Sequence, residues 1–262
     1  MPNSPAAAVE RPKDLIQSAQ RALLLLESVA RHPGPVAPKE LATELNLGVA
    51  TVYHLLNTLL YTGYVERVSG GYVISAPKIH SLYTAATASH AVDARTVRVV
   101  HHIAEITGET VYAARLIGLS VVISVAAEGS RAVRVAGLYP GLHGNEHARA
   151  TGKALLAFAS LATIEEFLSR PGGFPAVTPT TIVDPDELRA ELVRVSKAGY
   201  AVDDQEYLEG VGCISVPVRR PGVEPTVAIT ITVPAHRFAA TRDSYLKLLQ
   251  DNVRQLVRDT DT

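Results

Sequence analysis

Cysteine is nearly missing: the 262-residue chain has one, Cys213. A single thiol cannot close an internal disulfide or build a cysteine-rich zinc site. An excess of either charge is missing too, with a formal net charge of -1. Residues 1–90 hold seven Lys/Arg against six Asp/Glu, and residues 91–262 hold eighteen against twenty. A strong nucleic-acid binder usually carries a basic face, so charge alone does not point to a polyanion partner. Long hydrophobic runs are also lacking. None reaches the ~18 residues of a membrane span, and the N-terminal "MPNSPAAAVERPKD" has no h-region of a signal peptide. Residues 1–15 are expected to form a flexible tail and the protein to be cytoplasmic, with no membrane partner.

What remains is ordinary globular material. Apolar residues make up 47% and charged residues 19%, enough for packed cores, and the length suits two domains. In "SAQRALLLLESVARH", Ala19, Ala22, Leu23, Leu26, Val29 and Ala30 follow helical spacing, with Ser18 as the expected N-cap. "PGP" at 33–35 ends that helix. Pro38 opens a short second helix through Leu41, Ala42 and Leu45, and "NLG" makes a tight turn. A third helix from Val49 to Leu60 has Val52, Leu55, Leu56 and Leu59 on its inner face and Gly63 at its C′ position. "YVERV" and "YVI" alternate around Ser69-Gly70-Gly71 as a hairpin. Residues 78–92 read as a weakly amphipathic connecting helix.

Helix, helix, turn, helix, hairpin is the order that lays a recognition helix in a DNA major groove. The turn must be small, and Gly48 is. The outer face must offer hydrogen-bonding groups to bases and phosphates, and Thr51, Tyr53, His54, Asn57 and Thr58 do. Asn57 can read an adenine bidentately, and Arg67 lies on the hairpin, where a wing meets the backbone.

The second half interleaves helices with strands. "TVRVVHHIAEITG", "GKALLAFAS" and "ATIEEFLSR" read as helices, as do a segment opened by Asp184-Pro185 and a C-terminal one from about Phe238. "TVYAARLIG", "SVVISVAAEG", "RAVRVAG", "GYAVDD", "GCISVPVRR" and "PTVAITITV" read as strands. This is an α+β arrangement. The backbone N–H groups of Thr151 and Gly152 at a helix start are a candidate anion seat. By strand period two, Cys213 and Ser215 share one face, as do Thr230 and Thr232. Small hydroxyls and a thiol, with an acidic group from Asp203 or Glu206 at the mouth, suit a small polar ligand.

Enzyme readings fare poorly. "HGNEH" at 143–147 fits H-x-x-E-H, but Tyr139-Pro140-Gly141 before it and Gly144-Asn145 within it predict a loop rather than the helix a zinc site needs. "ATGKA" is no phosphate loop, because His147 stands where its first glycine belongs and Ala154 where its Ser/Thr belongs. Lone Cys213 has no placed histidine to activate it. No enzyme activity, cofactor or metal is expected.

"SAQRALLLLESVARHPGPVAPKELATELNLGVATVYHLLNTLLYTGYVE" at 18–66 resembles the winged helix–turn–helix of the IclR family of bacterial transcription regulators. "HARATGKALLAFAS", "GYAVDDQEYLEGVGCISVPV" and "TVAITITVP" resemble that family's effector-binding domain, in order and spacing. The resemblance implies a winged helix–turn–helix over 16–76, a linker helix over 77–92 and a GAF-like effector-binding domain over 93–262. It implies a regulator, expected to be a repressor, controlled by a small carboxylate-bearing metabolite. Its partners would be double-stranded DNA with a palindromic operator and further copies of itself, as homodimer or dimer of dimers. DNA contacts are expected from Arg21, Lys39, Val49, Ala50, Thr51, Tyr53, His54, Asn57 and Arg67. Effector contacts are expected from Ala150, Thr151, Gly152, Asp203, Glu206, Cys213, Ser215, Thr230 and Thr232. Two departures stand out: His54 replaces a usual arginine, and "VISAPK" replaces the usual Leu-Gly after the wing. The alternative is a small-molecule-binding module that signals through protein contacts without DNA.

Overall fold

The computed structural model describes residues 14–90, 92–131, 134–135, 137–219 and 222–258, the side chains of 86–90 excepted. The chain divides into two compact units between Ser89 and His90. Most of the expected tail lies outside the described residues.

The first unit holds α1 (Gln17–Arg31), α2 (Pro38–Glu44), α3 (Val49–Tyr61), β1 (Val65–Val68) and β2 (Gly71–Ile74). Val36 bridges Tyr72, adding a short third edge to the hairpin. Leu25, Val29, Leu41, Val52, Leu56, Leu59 and Tyr72 form one core. Two sequence expectations need correction. Ser18 is not the N-cap of α1; Ile16 is, without a side-chain cap, because the Ile16 carbonyl already accepts from Gln20 N–H. The buried stripe of α1 is Leu25, Ser28 and Val29, while Leu23 is 61% exposed. Ser28 turns inward because its hydroxyl donates to Glu44 of α2 at 2.7 Å. At the end of α3, Gly63 has φ 78° and sits just past the C-cap, as its sequence position demands.

α4 (Ala76–His90) follows the hairpin. The second unit contains α5 (Ala94–Thr107), β3 (Thr110–Ile117), β4 (Ser120–Ala127), α6 (Ala150–Leu156), α7 (Leu161–Leu168), α8 (Pro185–Ala198), β5 (Ala201–Asp204), β6 (Val211–Pro217), β7 (Val227–Pro234) and α9 (Ala235–Arg258). Asp184 caps α8 by accepting from the N–H groups of Asp186 and Glu187. The five strands form one antiparallel sheet in the order β4-β3-β7-β6-β5. The α+β expectation holds. The strand expected at "RAVRVAG" does not: residues 132, 133 and 136 lie outside the described ones, and Arg134, Val135 and Gly137 are in no strand.

Alternation in β6 and β7 sorts the sheet into two faces. Ile214, Val216, Ile229, Ile231 and Val233 pack with α5 and α9 residues such as Val100, Ile103, Leu249 and Val253. The intervening Cys213, Ser215, Thr230 and Thr232 face the other way, together with Tyr112 of β3. Tyr112 packs there with Ala154 and Leu155 of α6. A polar stripe is thereby sealed between sheet and helix.

Candidate functional site

Two places bear on function, one in each unit. On α3, Val52, Leu56 and Leu59 are buried. That leaves Val49, Ala50, Tyr53, His54, Asn57 and Thr58 exposed and Thr51 half-buried. The helical period therefore separates a face that fastens α3 from a face that is open to a partner. Arg21 on α1, Lys39 on α2 and Arg67 on β1 are exposed as well. α2 is held against α1 by the Ser28–Glu44 bond and by Arg31, whose guanidinium reaches Glu44 at 2.5 Å. That pairing, with the Arg31 hydrogen bond first, holds the Glu44 carboxyl below its ordinary range.

In the second unit, the predicted hydroxyls form a continuous ladder. The Tyr112 hydroxyl lies 2.7 Å from Thr151 Oγ1, which lies 2.7 Å from Thr230 Oγ1. Thr230 donates to Ser215 at 2.9 Å, and two register positions along, the Cys213 thiol faces Thr232 Oγ1 at 3.7 Å. All six side chains are buried. Burial pushes the Cys213 thiol well above its ordinary value, and the neighbouring Asp203 adds to that, so the sulfur stays protonated. Gly152, also buried, turns its Cα onto the Glu146 main chain. Ala150 is fully buried at the first position of α6.

Asp203 is not a rim group, as the sequence reading placed it. It is 2% exposed, because β5 pairs it with Cys213 of β6 and turns it inward. Its Oδ1 accepts from the N–H groups of Glu206 and Tyr207, at 2.7 and 3.2 Å. Burial, with help from Glu206, raises its pKa to about 7 against the opposing pull of Lys153 and the two N–H groups. Glu206 is half-buried beside fully buried Lys153, with Nζ to Oε1 at 2.5 Å; Glu191 stands 3.6 Å from the same Nζ. Burial raises Glu206 too, opposed by Lys153.

The Asp203 shift has a measurable consequence. Between about pH 4 and 7 the folded chain holds a proton on Asp203 that the unfolded chain has released. Asp203 therefore lowers stability as pH rises through that window, with a slope of about 1.4 kcal/mol per pH unit. Asp203→Asn keeps an oxygen for the two N–H groups and cannot ionise. In urea unfolding across a pH series, its stability relative to wild type should climb from about pH 4 to 7 and then level off. Parallel curves would refute a buried titrating carboxyl.

Sequence reasoning passed over Arg149, the N-cap residue of α6. It is 2% exposed, and neither terminal nitrogen has a hydrogen-bond partner among the described residues. The guanidinium lies 5.9 Å from the Tyr112 ring centroid and 5.3 Å from that of Tyr207. The available signal was two cations, Arg149 and Lys153, in an otherwise small and apolar stretch. "HGNEH" is a loop, as expected, with Gly144 and Asn145 at positive φ. His147 is buried with Nε2 3.0 Å from the Pro175 carbonyl, and burial lowers its pKa to about 4. Among the described residues, no group of three or more His, Cys, Asp or Glu could hold a metal ion, and no helix is long and apolar enough to cross a membrane. A surface concavity of about 540 Å³ is lined by His32, Lys39, Glu40, Thr43 and Glu44. Another, of about 290 Å³, includes Asp93, Arg115 and Val227. None of the ladder residues lines either one.

Known proteins resemble both units of the chain. The family model described as IclR helix-turn-helix domain matches residues 18–69, and that described as bacterial transcriptional regulator IclR C-terminal matches residues 84–258. The transcriptional repressor IclR of Escherichia coli (strain K12) is 31% identical over 250 residues, covering 91% of this chain and 87% of that protein. The acetate operon repressor of Salmonella typhimurium is 30% identical over 250 residues, with the same coverage of 91% and 87%. The crystal structure of the Thermotoga maritima IclR superposes with a TM-score of 0.73 at 26% identity, covering 93% of this chain and 98% of that one. Matched by the effector-domain model over more than half its length and by the DNA-binding model ahead of it, the chain belongs to the IclR family of DNA-binding transcriptional regulators.

Proposed function

We propose that the chain is a repressor that binds a palindromic operator and is controlled by a small carboxylate-bearing metabolite. In this reading residues 16–76 bind DNA, 77–92 connect, and 93–262 sense the ligand. The observation that carries it is the division of α3, in which Val52, Leu56 and Leu59 anchor the helix while Tyr53, His54 and Asn57 stay open. Both relatives described above bear the name repressor, which supports the sign of regulation. Arg21, Lys39 and Arg67 serve phosphates, and Val49, Ala50, Thr51, Tyr53, His54 and Asn57 form the groove-facing surface. One short recognition helix spans few base pairs, so a homodimer or dimer of dimers on a two-fold symmetric site follows.

The ligand site is the sealed polar stripe: Ala150, Thr151 and Gly152 at the start of α6, Asp203 and Glu206, and the pairs Cys213–Thr232 and Ser215–Thr230. Hydroxyls, a neutral thiol and a carboxyl poised near neutrality offer donors and acceptors at close range in a dry setting, which suits a small polar molecule. The ligand acts by population shift: it binds one arrangement of the subunits better and so changes operator affinity. A ligand with equal affinity for the DNA-bound and free protein would end this mechanism.

The test is a gel shift on the intergenic DNA flanking the protein's own gene, with competitor DNA and a salt series. A discrete, competitor-resistant complex is expected, and a shift that competitor abolishes in the presence and absence of organic acids would overturn the reading. Asn57→Ala should weaken the specific complex about tenfold to a hundredfold. Its Tm should not move, since Asn57 is exposed. Equal loss on specific and random DNA would place Asn57 on a phosphate instead.

A further inference from the structure

We propose that Arg149 is the anion receptor of the second unit and that it takes a monocarboxylate. The inference rests on the effector-binding reading above and deepens it. Arg149 lies at the N-cap of α6, buried, with Nη1 and Nη2 both unpartnered among the described residues. A guanidinium never releases its proton in a protein. Burying such a charge is costly unless an anion pairs with it. The rings of Tyr112 and Tyr207 stand beside it at 5.9 and 5.3 Å. Ring faces attract a cation but leave its N–H groups unbonded. Two adjacent terminal nitrogens with no acceptor form a fork that matches the two oxygens of a carboxylate.

The other groups around the site set the class of the anion. Lys153 already serves Glu206 and Glu191, and Glu191 also holds Arg194 at 2.5 Å. That cluster of two cations and two carboxylates is neutral. The Cys213 thiol and the Tyr112 phenol are held protonated by burial. Asp203 is the remaining acid and it carries at most one negative charge. While Asp203 holds its proton, Arg149 is the cation of this site that lacks an anion among the described residues, and one negative charge on a ligand would supply it. A dicarboxylate or a phosphate dianion would bring a second negative charge toward Asp203 and toward Glu206 Oε2, itself buried and unpartnered. Tyr112 joins the two halves of the site, since its ring flanks the guanidinium and its hydroxyl heads the ladder to Thr151, Thr230 and Ser215. A carboxylate on Arg149 therefore has hydroxyl partners next to it for the rest of a small molecule.

The experiment uses the full chain as wild type, Arg149→Met and Arg149→Lys. Thermal unfolding is followed with sodium acetate, propanoate and benzoate, each against its neutral amide, and with succinate and inorganic phosphate. Wild type should gain about 2–4 °C or more with a monocarboxylate and nothing with its amide. R149M should not respond, and R149K, which keeps the charge without the fork, should respond less than wild type. Equal stabilisation of wild type and R149M would overturn the assignment. So would no carboxylate outdoing its amide on wild type, or phosphate or succinate outdoing all three acids. Should R149M not fold, an R149K response equal to wild type's would overturn it in the same way. A parallel gel shift separates this from the regulator reading. Specific DNA binding without Arg149-dependent stabilisation sinks only the Arg149 assignment. Arg149-dependent stabilisation without specific DNA binding sinks only the DNA reading.

Discussion

Replacing Gly152 with alanine is expected to destabilise the second unit by at least about 3 kcal/mol and to lower Tm by roughly 6–12 °C. Helix propensity points the other way, since alanine is favoured over glycine in a helix by about 1 kcal/mol. Packing decides, because a Cβ at Gly152 would stand 2.6 Å from the Glu146 carbonyl carbon and 2.7 Å from its Cα, with the carbonyl oxygen closer still. These are main-chain atoms and cannot step aside as a flexible side chain could. The Glu146 segment is pinned as well. Its carboxylate accepts from Val121 N–H and Gly144 N–H and lies 3.6 Å from Arg170. His147 next to it is bonded to the Pro175 carbonyl. Relief must come from moving α6, which would carry Thr151 away from Tyr112 and Thr230 and break the ladder. Urea and thermal unfolding read the loss. An unchanged or raised Tm would mean that the Glu146 main chain yields freely and that propensity wins.

The second large effect is expected at Lys153, fully buried yet charged. Lys153→Met keeps much of the volume and removes the only cation within 4 Å of Glu206 among the described residues. Glu206 would then sit half-buried with one oxygen newly orphaned and the other already unpartnered. Breaking a buried pair from one side costs about 3–5 kcal/mol. Burial already lifts the Glu206 pKa and Lys153 opposes that lift. Without Lys153 the carboxyl should rise further, so the folded variant would take up a proton that the unfolded chain lacks. Its stability deficit should therefore be largest at neutral pH and shrink as pH falls. Adding Glu206→Gln should restore a good part of the loss, because it removes the stranded charge. A deficit of the same size at every pH, with no recovery in the double variant, would mean that Lys153 acts by packing alone.

Much of the fold was legible along the chain because its signals are local. Asp184 ahead of Pro185 caps a helix wherever it occurs, and Gly63 at φ 78° does what a glycine past a helix end does. "AITIT" puts Ile229 and Ile231 on one face and Thr230 and Thr232 on the other by strand period alone, and the ladder followed from that. The inner face of α3 was legible for the same reason. The face of α1 was not. Four consecutive leucines satisfy more than one helical stripe, and Leu25 rather than Leu23 went inside. The choice fell to the Ser28–Glu44 bond and to what α2 and α3 present.

Sequence by itself determined the order of elements, the α+β class, the divided face of α3 and the polar stripe of the sheet, all of which depend on neighbours a few residues apart. Tertiary structure alone decided what those polar groups do. It buried Asp203, enclosed Lys153 between two glutamates, left the Arg149 terminal nitrogens without a hydrogen-bond partner among the described residues and made Gly152 a point of main-chain contact. The reason is that desolvation and close packing are set by atoms brought in from distant parts of the chain. No local spacing states which charge will be stripped of water or which partner will be there to meet it.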